Sequence, residues 1–258
     1  LQFEGTSRFG VILSKCYSEG NHCPDAINTD VSGDRESLNH NRHYANMPLP
    51  VELLGNEFVL LGSEWTVSSR ILLVTTVPRT YVMLLMDSGQ KYKQINLSDK
   101  YMSYTMKNGQ GILVVKSNEP IYVYSVHQSC YPSMPNTVQP DLDVWRIYTV
   151  VPVSLYYHIY AWRTLALQYH SVSYQVILIL NHSNQDELIL DTHNLTVTNW
   201  TKPGTNVSWI LGSFLLDTPG SHVLQSLHSI HSFGCYLKLT TNKHTLEDEI
   251  RFAGIDIF

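Results

Sequence analysis

Short runs of β-branched and aromatic residues, separated by turn residues, dominate the first half of the chain. These runs are EFVLLGSEWTV, RILLVTTV, TYVMLLM, GILVVKS and PIYVYSV. The breaks between them contain Pro78-Arg79, Asp87-Ser-Gly89, Asn108-Gly-Gln-Gly111 and Asn118-Glu-Pro120. Such residues are typical of turns. Runs of this length and composition predict strands, and their spacing of roughly ten residues predicts hairpin connections in a β-sandwich.

The same rhythm continues through the second half of the chain. Its runs are WRIYTVVPV, YHIYAWRTLAL, SYQVILILN, DELILD, SWILGSFLL, HSFGCYLKLTT and EIRFAGIDIF. No segment has the spacing of three and four residues between apolar positions that indicates an amphipathic helix. The pattern as a whole therefore predicts an all-β fold.

The two halves resemble each other in sequence. LPVELLGNEFVLL at 49–61 compares with VPVSLYYHIYAWR at 151–163, and in each a Pro-Val-x-Leu sequence precedes an aromatic strand. Later segments also correspond, namely 71–74 with 176–179 and 120–124 with 233–237. Chance similarity between β-rich sequences is the alternative explanation. If the repeat is real, it predicts two tandem, side-by-side β-sandwich halves of jelly-roll or immunoglobulin-like type.

These patterns divide the chain into three regions. Residues 1–47 are predicted to form an N-terminal strand and a cysteine-bearing loop, because much of that sequence is polar and rich in turn residues. Residues 48–135 are predicted to form the first β-sandwich and residues 136–258 the second. Three prolines in the segment YPSMPNTVQPDLDV indicate a linker between them.

Composition and charge exclude some classes of protein. Apolar residues make up 43% of the chain and charged residues 15%, which is typical of a folded domain and not of a disordered segment. The formal net charge of -5 argues against nucleic-acid binding. Most of the acidic excess lies after residue 140, so a basic protein partner is one interpretation and simple solubility is the other.

Asparagine triplets indicate a secretory route. Five Asn-x-Ser/Thr sequences have no proline in the middle, and three of them lie close together. The predicted glycosylation sites are Asn96, Asn181, Asn194, Asn199 and Asn206. Frequent Asn, Ser and Thr could also produce such triplets by chance.

No run of about 18 apolar residues occurs, so no membrane-spanning helix is predicted. Because LQFEGTSRFG does not match a signal peptide, we expect that any such segment has been removed.

The chain contains four cysteines, an even number that fits disulfide bonding outside the cytosol. Three pairings are possible among Cys16, Cys23, Cys130 and Cys235. We favour a small loop closed by Cys16 and Cys23, with a long-range bond between Cys130 and Cys235. The six residues between Cys16 and Cys23 are too many for the tight spacing typical of zinc sites.

Several segments resemble the N-terminal domain of the mucus-associated IgGFc-binding protein family. They are LPVELLGNEFVLL, ILLVTTVPRTYVMLL and GILVVKSNEPIYVYSV. Gly55, Glu57 and Phe58 match the family's Leu-Gly-x-Glu-Phe motif, which leads into its strands, and PIYVY matches its closing strand. VVPVSL and GSHVLQSLHSIHSFGCYL resemble its second half, where a Gly-x-His turn precedes a Phe-Gly strand.

The resemblance covers residues 48–258, and two departures from the family pattern accompany it. The second half has Leu155-Tyr-Tyr-His-Ile in place of Leu-Gly-x-Glu, and the segment before residue 48 has no counterpart in the resemblance. The resemblance implies a secreted β-rich module that is associated with protein binding and mucus.

Catalytic and metal-binding motifs are not evident. The chain lacks Gly-x-Ser-x-Gly, His-Glu-x-x-His and a phosphate-binding Gly-rich loop. His228 and His231, with His222 nearby, form the densest histidine group, but alternation along a strand would place the first two on opposite faces. The acidic segment from Asp30 to Glu36 lacks the full pattern of a calcium loop. We therefore predict no catalytic residue, no metal and no cofactor.

Two segments are predicted to contact a partner. The long loop 24–47 contains Tyr44 and several charged residues, and its alternative is a disordered linker. The segment after the first sandwich contains Tyr131 and Met134, whose alternative role is packing. Loops at the ends of β-sandwiches commonly carry recognition residues.

These observations favour a secreted, non-catalytic glycoprotein that binds another extracellular protein. The partner would be an immune mediator such as a chemokine, which is small and basic, or an immunoglobulin. A structural or adhesive component of mucus or matrix is the first alternative and predicts self-association. A hydrolase with an unrecognised site is the second alternative, because paired carboxylates are a spatial arrangement that sequence spacing does not reveal.

Overall fold

The computed structural model describes fifteen segments of the chain, and of some strand residues it describes the backbone alone. The segments are 13–17, 42–46, 49–60, 68–86, 92–97, 101–106, 113–131, 142–164, 172–181, 188–197, 199–200, 208–216, 219–228, 231–241 and 249–252. Strands dominate these segments, and no α-helix occurs within them. The prediction of an all-β fold is confirmed.

The described residues of the first part of the chain form nine strands. They are β1 (Leu13–Tyr17), β2 (Arg42–Asn46), β3 (Gly55–Leu60), β4 (Ser68–Thr75), β5 (Thr80–Met86), β6 (Tyr92–Leu97), β7 (Tyr101–Met106), β8 (Leu113–Tyr131) and β9 (Leu142–Thr149). β1 and β2 pair with each other in a separate two-stranded antiparallel sheet. The remaining seven form one antiparallel sheet that is organised around β8.

Strand β8 changes partners along its 19 residues. Its first part pairs with β3 and β5, and its second part pairs with β4 and β9. A strand that switches partners in this way forms the corner between two sheet layers. Phe58 of β3, Leu73 of β4 and Leu84 of β5 belong to one buried cluster, so side chains of the two layers face each other.

The described residues of the second part of the chain also form nine strands. They are β10 (Ile159–Thr164), β11 (Val172–Asn181), β12 (Leu188–Leu190), β13 (His193–Asn194), β14 (Asn199–Trp200), β15 (Trp209–Leu216), β16 (Gly220–Ser226), β17 (Gly234–Thr241) and β18 (Glu249–Phe252). One antiparallel sheet has the order β10-β16-β12-β13 and another has the order β14-β15-β11-β17-β18. Trp162 and Leu224 of the first sheet and Leu178 and Tyr236 of the second share one buried cluster.

Six strand pairings of the first part recur in the second part in the same chain order, whereas β1–β2 and β14–β15 have no counterpart among the described strands. Pairs β3–β8, β4–β7, β4–β8, β5–β6, β5–β8 and β8–β9 correspond to β10–β16, β11–β15, β11–β17, β12–β13, β12–β16 and β17–β18. Single 3-10 turns, Val51–Leu53 and Val153–Leu155, follow Pro50 and Pro152 and precede β3 and β10. This recurrence supports the predicted repeat. The side-by-side arrangement of two sandwiches and the domain boundaries remain predictions.

Residues of the Leu-Gly-x-Glu-Phe motif contact the second part of the chain directly. Glu57 Oε1 accepts a hydrogen bond from Trp209 Nε1 at 3.2 Å and lies 3.1 Å from Lys116 Nζ. Phe58 is buried in the core of the first part. Gly55 lies so close to the second 3-10 turn that an added Cβ would stand 2.4 Å from Pro152 Cβ. The Leu-Gly-x-Glu-Phe motif therefore forms part of the contact between the two parts of the chain.

We expect Gly55→Ala to destabilise the protein by about 1–3 kcal/mol, because a methyl group would overpack this contact. The midpoint of urea unfolding, followed by circular dichroism, measures the effect. Val51→Ala is the matched control, since Val51 is exposed one turn earlier and should change stability by less than about 0.5 kcal/mol. Equal midpoints for Gly55→Ala and wild type would contradict the close approach.

Candidate protein-binding face

One face of strand β10 is exposed and apolar. Ile159, Ala161 and Arg163 are exposed, whereas Tyr160 and Trp162 between them are buried. Because side chains alternate between the two faces of a strand, a single strand presents both an outer and an inner surface. Tyr157, which comes just before β10, is also exposed, with 55% of its surface accessible.

Strand β16 extends this exposed face. Its pairing with β10 places Val223 opposite Ala161 and Gln225 opposite Ile159. Val223 is 40% exposed and Ile159 is 45% exposed. We define the β10–β16 face as Tyr157, Ile159, Ala161, Arg163, Val223 and Gln225. Leu227 is exposed just beyond the end of β16. Grouped large apolar side chains on a surface mark an interaction site more often than isolated ones do.

The charge on this face is low. Arg163 is the only Lys, Arg, Asp or Glu in β10 and β16. Centres of protein interfaces are depleted in charged residues and enriched in aromatic residues and arginine. Within the described residues, β10 is an edge strand that pairs with β16 alone. The face therefore combines an apolar centre, a single cation and an open edge.

Buried contacts hold the face in place from beneath. The Tyr160 hydroxyl donates a hydrogen bond to the Phe233 carbonyl and accepts one from the Tyr157 amide at 3.1 Å. The Tyr160 and Phe233 rings meet edge to face with centroids 5.0 Å apart. Burial raises the pKa of Tyr160 above its ordinary value of 10.0, so the hydroxyl keeps its proton and remains a donor. The backbone at Tyr157 is fixed by these contacts.

A carboxylate, an imidazole and a hydroxyl meet on the inner side of the same sheet. His222 Nδ1 lies 2.8 Å from Asp191 Oδ2, and His222 Nε2 lies 3.4 Å from Thr164 Oγ1. The other Asp191 oxygen accepts a 2.7 Å hydrogen bond from the Val223 amide. The order of groups is that of a hydrolase triad. However, Thr164 is 3% exposed and its hydroxyl accepts a hydrogen bond from the Gly220 amide.

This cluster joins the turn after β12 to strands β10 and β16. Asp191 and Thr192 form that turn with positive φ values of 48° and 78°, which suits a tight hairpin. Trp162 packs near His222, with ring centroids 5.9 Å apart, and the Trp162 Nε1 group has no hydrogen-bond partner in the described structure. The cluster is a clamp that holds the β12–β13 hairpin on the sheet.

Asp191→Asn is expected to lower the melting temperature by about 2–4 °C near neutral pH, because it removes the negative charge of a carboxylate that is hydrogen-bonded to the Val223 amide and to His222. The expected effect is small because the carboxylate is partly exposed. Burial would raise the pKa of Asp191, but bonds from Val223 and His222 hold it below 3.8. A lowered pKa gives stability above the unfolded value that is lost as the pH falls through the folded value. The difference between variant and wild type should therefore shrink below about pH 4. A pH-independent difference in thermal scans would contradict the clamp.

The two predicted contact residues that the structure describes lie on strands other than β10 and β16. Tyr44 lies in strand β2, so its assignment to a long loop was wrong. Tyr131 is the last residue of β8 and pairs with Leu142 of β9. β2 contacts β9, so the strands of both tyrosines meet at β9. Met134 lies outside the described residues, and the contact roles of all three remain predictions.

Sequence reasoning did not single out Tyr157, Ile159 and Val223. The signal was present, because YHIYAWRT has large apolar side chains at both odd and even positions. A strand with one solvated face would alternate apolar and polar residues. Asp191 and Thr164 were also missed, since they lie far from His222 in sequence and no motif joins them.

The structure describes the side-chain exposure of three of the five predicted glycosylation sites. Asn96 of β6 and Asn194 of β13 are exposed, and Asn181 at the end of β11 is half-buried. Asn199 is described by its backbone in β14, and Asn206 lies outside the described residues. Their glycosylation remains a prediction.

Cys235 is fully buried in the core of the second part, and within the described residues its thiol has no disulfide partner. It faces the apolar core on β17, where burial raises the pKa of the thiol. The bond between Cys130 and Cys235 remains a prediction. Cys16 and Cys130 lie in β1 and β8, whose backbones alone are described at these positions, and Cys23 lies outside the described residues. Their pairing remains a prediction.

The histidine and acidic groups do not build a metal site in the described part of the chain. The His228 and His231 rings meet with centroids 5.6 Å apart. Among the described residues, no three His, Cys, Asp or Glu side chains converge in the way that a metal ion requires. The segment from Asp30 to Glu36 lies outside the described residues.

Comparison with known proteins identifies the family of this chain. The family model described as IgGFc binding protein matches residues 17–237, which is most of the chain and includes strands from both parts. The match begins earlier than the resemblance at residue 48, so residues 17–47 of the cysteine-bearing segment, which include Cys23, also match the family. No curated protein and no solved structure matches the chain. Within the described segments, no helix has the length and apolar character needed to cross a bilayer.

Proposed function

This chain belongs to the IgGFc-binding protein family, and we propose that it is a secreted glycoprotein that binds the Fc region of an immunoglobulin without chemical conversion. The observation that carries the proposal is the family match over residues 17–237. The five asparagine triplets support the secretory route. We propose binding without chemical conversion because the sequence contains no recognised catalytic motif.

The β10–β16 face is the surface that we assign to this binding. Tyr157 and Ile159 provide apolar anchors, and Arg163 provides one cation beside them. Aromatic residues and arginine carry most of the binding energy at protein interfaces when they are surrounded by apolar contacts that exclude water. The hydrogen bonds of Tyr160 fix the backbone beneath, so little conformational entropy is lost when a partner docks.

A basic chemokine is a second candidate partner. The observation that favours it is the net charge of -5, which would attract a small basic protein. Electrostatic attraction chiefly raises association rates and weakens with salt. Binding at the largely uncharged β10–β16 face would depend little on salt, so ionic strength separates the two candidates.

The experiment is a binding assay on glycosylated protein from a secretory host. Immunoglobulin G, its Fc fragment, its Fab fragment and a basic chemokine are titrated at low and high salt. We expect immunoglobulin G and Fc to bind at both salt concentrations, with a dissociation constant below about 10 µM, and Fab not to bind. An absence of Fc binding up to about 100 µM would overturn the proposal. Salt-sensitive chemokine binding alone would establish the second candidate in its place.

A further inference from the structure

Two of the asparagine triplets occupy corresponding positions in the two parts of the chain. Asn96 lies on β6 directly opposite Tyr81 of β5. Asn194 lies on β13 directly opposite Ile189 of β12. Pairs β5–β6 and β12–β13 correspond in the recurring order of strands, and β6 and β13 each stand at the end of their sheet's strand order. Both asparagines are exposed.

The two positions differ in their distance from exposed apolar side chains. Asn96 is one strand away from Tyr81, and both Tyr81 and Met83 are exposed on β5. Paired residues on neighbouring strands have Cβ atoms about 5 Å apart. In the second part, Asn194 pairs with Ile189, Ile189 with Gln225, and Gln225 with Ile159. This row spans three strand spacings, which is about 14 Å.

We propose that Asn96 and Asn194 are both glycosylated, that the sugar on Asn96 covers Tyr81 and Met83, and that the sugar on Asn194 leaves Ile159 accessible. This inference rests on the secretory route of the proposed function. The exposed surfaces of the two parts would then differ in use. The face on β5 is covered by carbohydrate, and the β10–β16 face stays open for a protein partner.

The modification is an ordinary group transfer. The asparagine amide nitrogen forms a bond to the anomeric carbon of an oligosaccharide that is carried on a lipid diphosphate. The bond from that carbon to the diphosphate oxygen breaks, the amide gives up one proton, and the lipid diphosphate leaves. Asn-x-Ser/Thr triplets on exposed surfaces of secreted proteins are the acceptors for this transfer.

Glycopeptide mass spectrometry tests occupancy without any partner protein. Secreted protein is treated in heavy-oxygen water with an amidase that converts glycosylated asparagine to labelled aspartate. We expect label at Asn96 and Asn194, and a lower fraction at Asn181, which is half-buried at the end of β11. Unlabelled Asn96 or Asn194 in secreted protein would overturn the inference, whatever the result of the Fc assay.

Single variants test which apolar side chains the sugars cover. Asn96→Gln should raise the fluorescence of a dye that binds exposed apolar surface by about twofold, and Asn96→Gln with Tyr81→Ser should return it to the wild-type level. Asn194→Gln should leave dye fluorescence unchanged. Equal fluorescence for wild type and Asn96→Gln, or a rise with Asn194→Gln, would overturn the assigned coverage. Because neither measurement uses immunoglobulin, a failure of the proposed function stays distinguishable.

Discussion

Phe233→Ala should destabilise the protein by about 3–5 kcal/mol, the range that deletion of a buried phenylalanine ring produces. Phe233 is 1% exposed, and its ring packs against Tyr160. Its backbone amide also donates a hydrogen bond to the Tyr157 carbonyl at 2.9 Å. Loss of the ring would leave a cavity where strand β10 meets the start of β17. Guanidinium unfolding followed by tryptophan fluorescence measures the change.

Leu227→Ala is the matched control for this variant. Leu227 is 60% exposed beyond the end of β16, so its truncation should cost less than about 0.5 kcal/mol. Phe233→Leu keeps part of the apolar volume and should fall between the two variants. If Phe233→Ala and Leu227→Ala unfold at the same guanidinium concentration, the Phe233 ring does not occupy the buried position described.

Ile159→Asp should weaken Fc binding by about thirtyfold or more, because a carboxylate would lose its water at the apolar centre of the interface. Ile159 is exposed in the free protein, so the change should not disturb the core. Titration of the variant against the Fc fragment measures the effect. Thirtyfold corresponds to about 2 kcal/mol, the threshold for a residue that dominates an interface.

Leu215→Asp provides the control for position. Leu215 is 61% exposed on β15, which belongs to the five-stranded sheet and not to the β10–β16 face. The two substitutions introduce the same charge at apolar residues of similar exposure, and Fc affinity of Leu215→Asp should stay within about threefold of wild type. If both variants bind Fc equally well with unchanged unfolding midpoints, the face is wrongly assigned.

Local sequence patterns predicted the strands well but not the length of β8. The segment Asn118-Glu-Pro120 was interpreted as a turn between two strands, yet β8 runs through it. Two features explain the difference. The Asn118 side chain accepts a 2.6 Å hydrogen bond from the Tyr81 amide. Pro120 has no amide hydrogen and lies next to Ile121, where β8 changes partners. Ile121 pairs with Gly55 of β3 after a register shift, and the pairing of β8 with β4 begins at the same residue. Partner exchange is a tertiary feature that local propensity does not contain.

The candidate face shows a similar limit. Strand β10 was predicted from its apolar residues. Because apolar residues occupy both of its faces, the sequence did not indicate which face is exposed to water. That choice is made by the five-stranded sheet, which covers Tyr160 and Trp162 and leaves Ile159 outside. The clamp was beyond sequence reasoning for another reason. Asp191 and His222 come together because β12 pairs with β16, and no local motif encodes that pairing.

Hydrogen–deuterium exchange with and without Fc tests the central claim most directly, because it reports the location of a partner without any substitution. The β10–β16 face predicts slower exchange in peptides that cover residues 157–163 and 221–227 when Fc is present. The peptide that covers residues 209–216 of β15 should exchange at an unchanged rate. Protection confined to other segments, with residues 157–163 unaffected by saturating Fc, would contradict the claim.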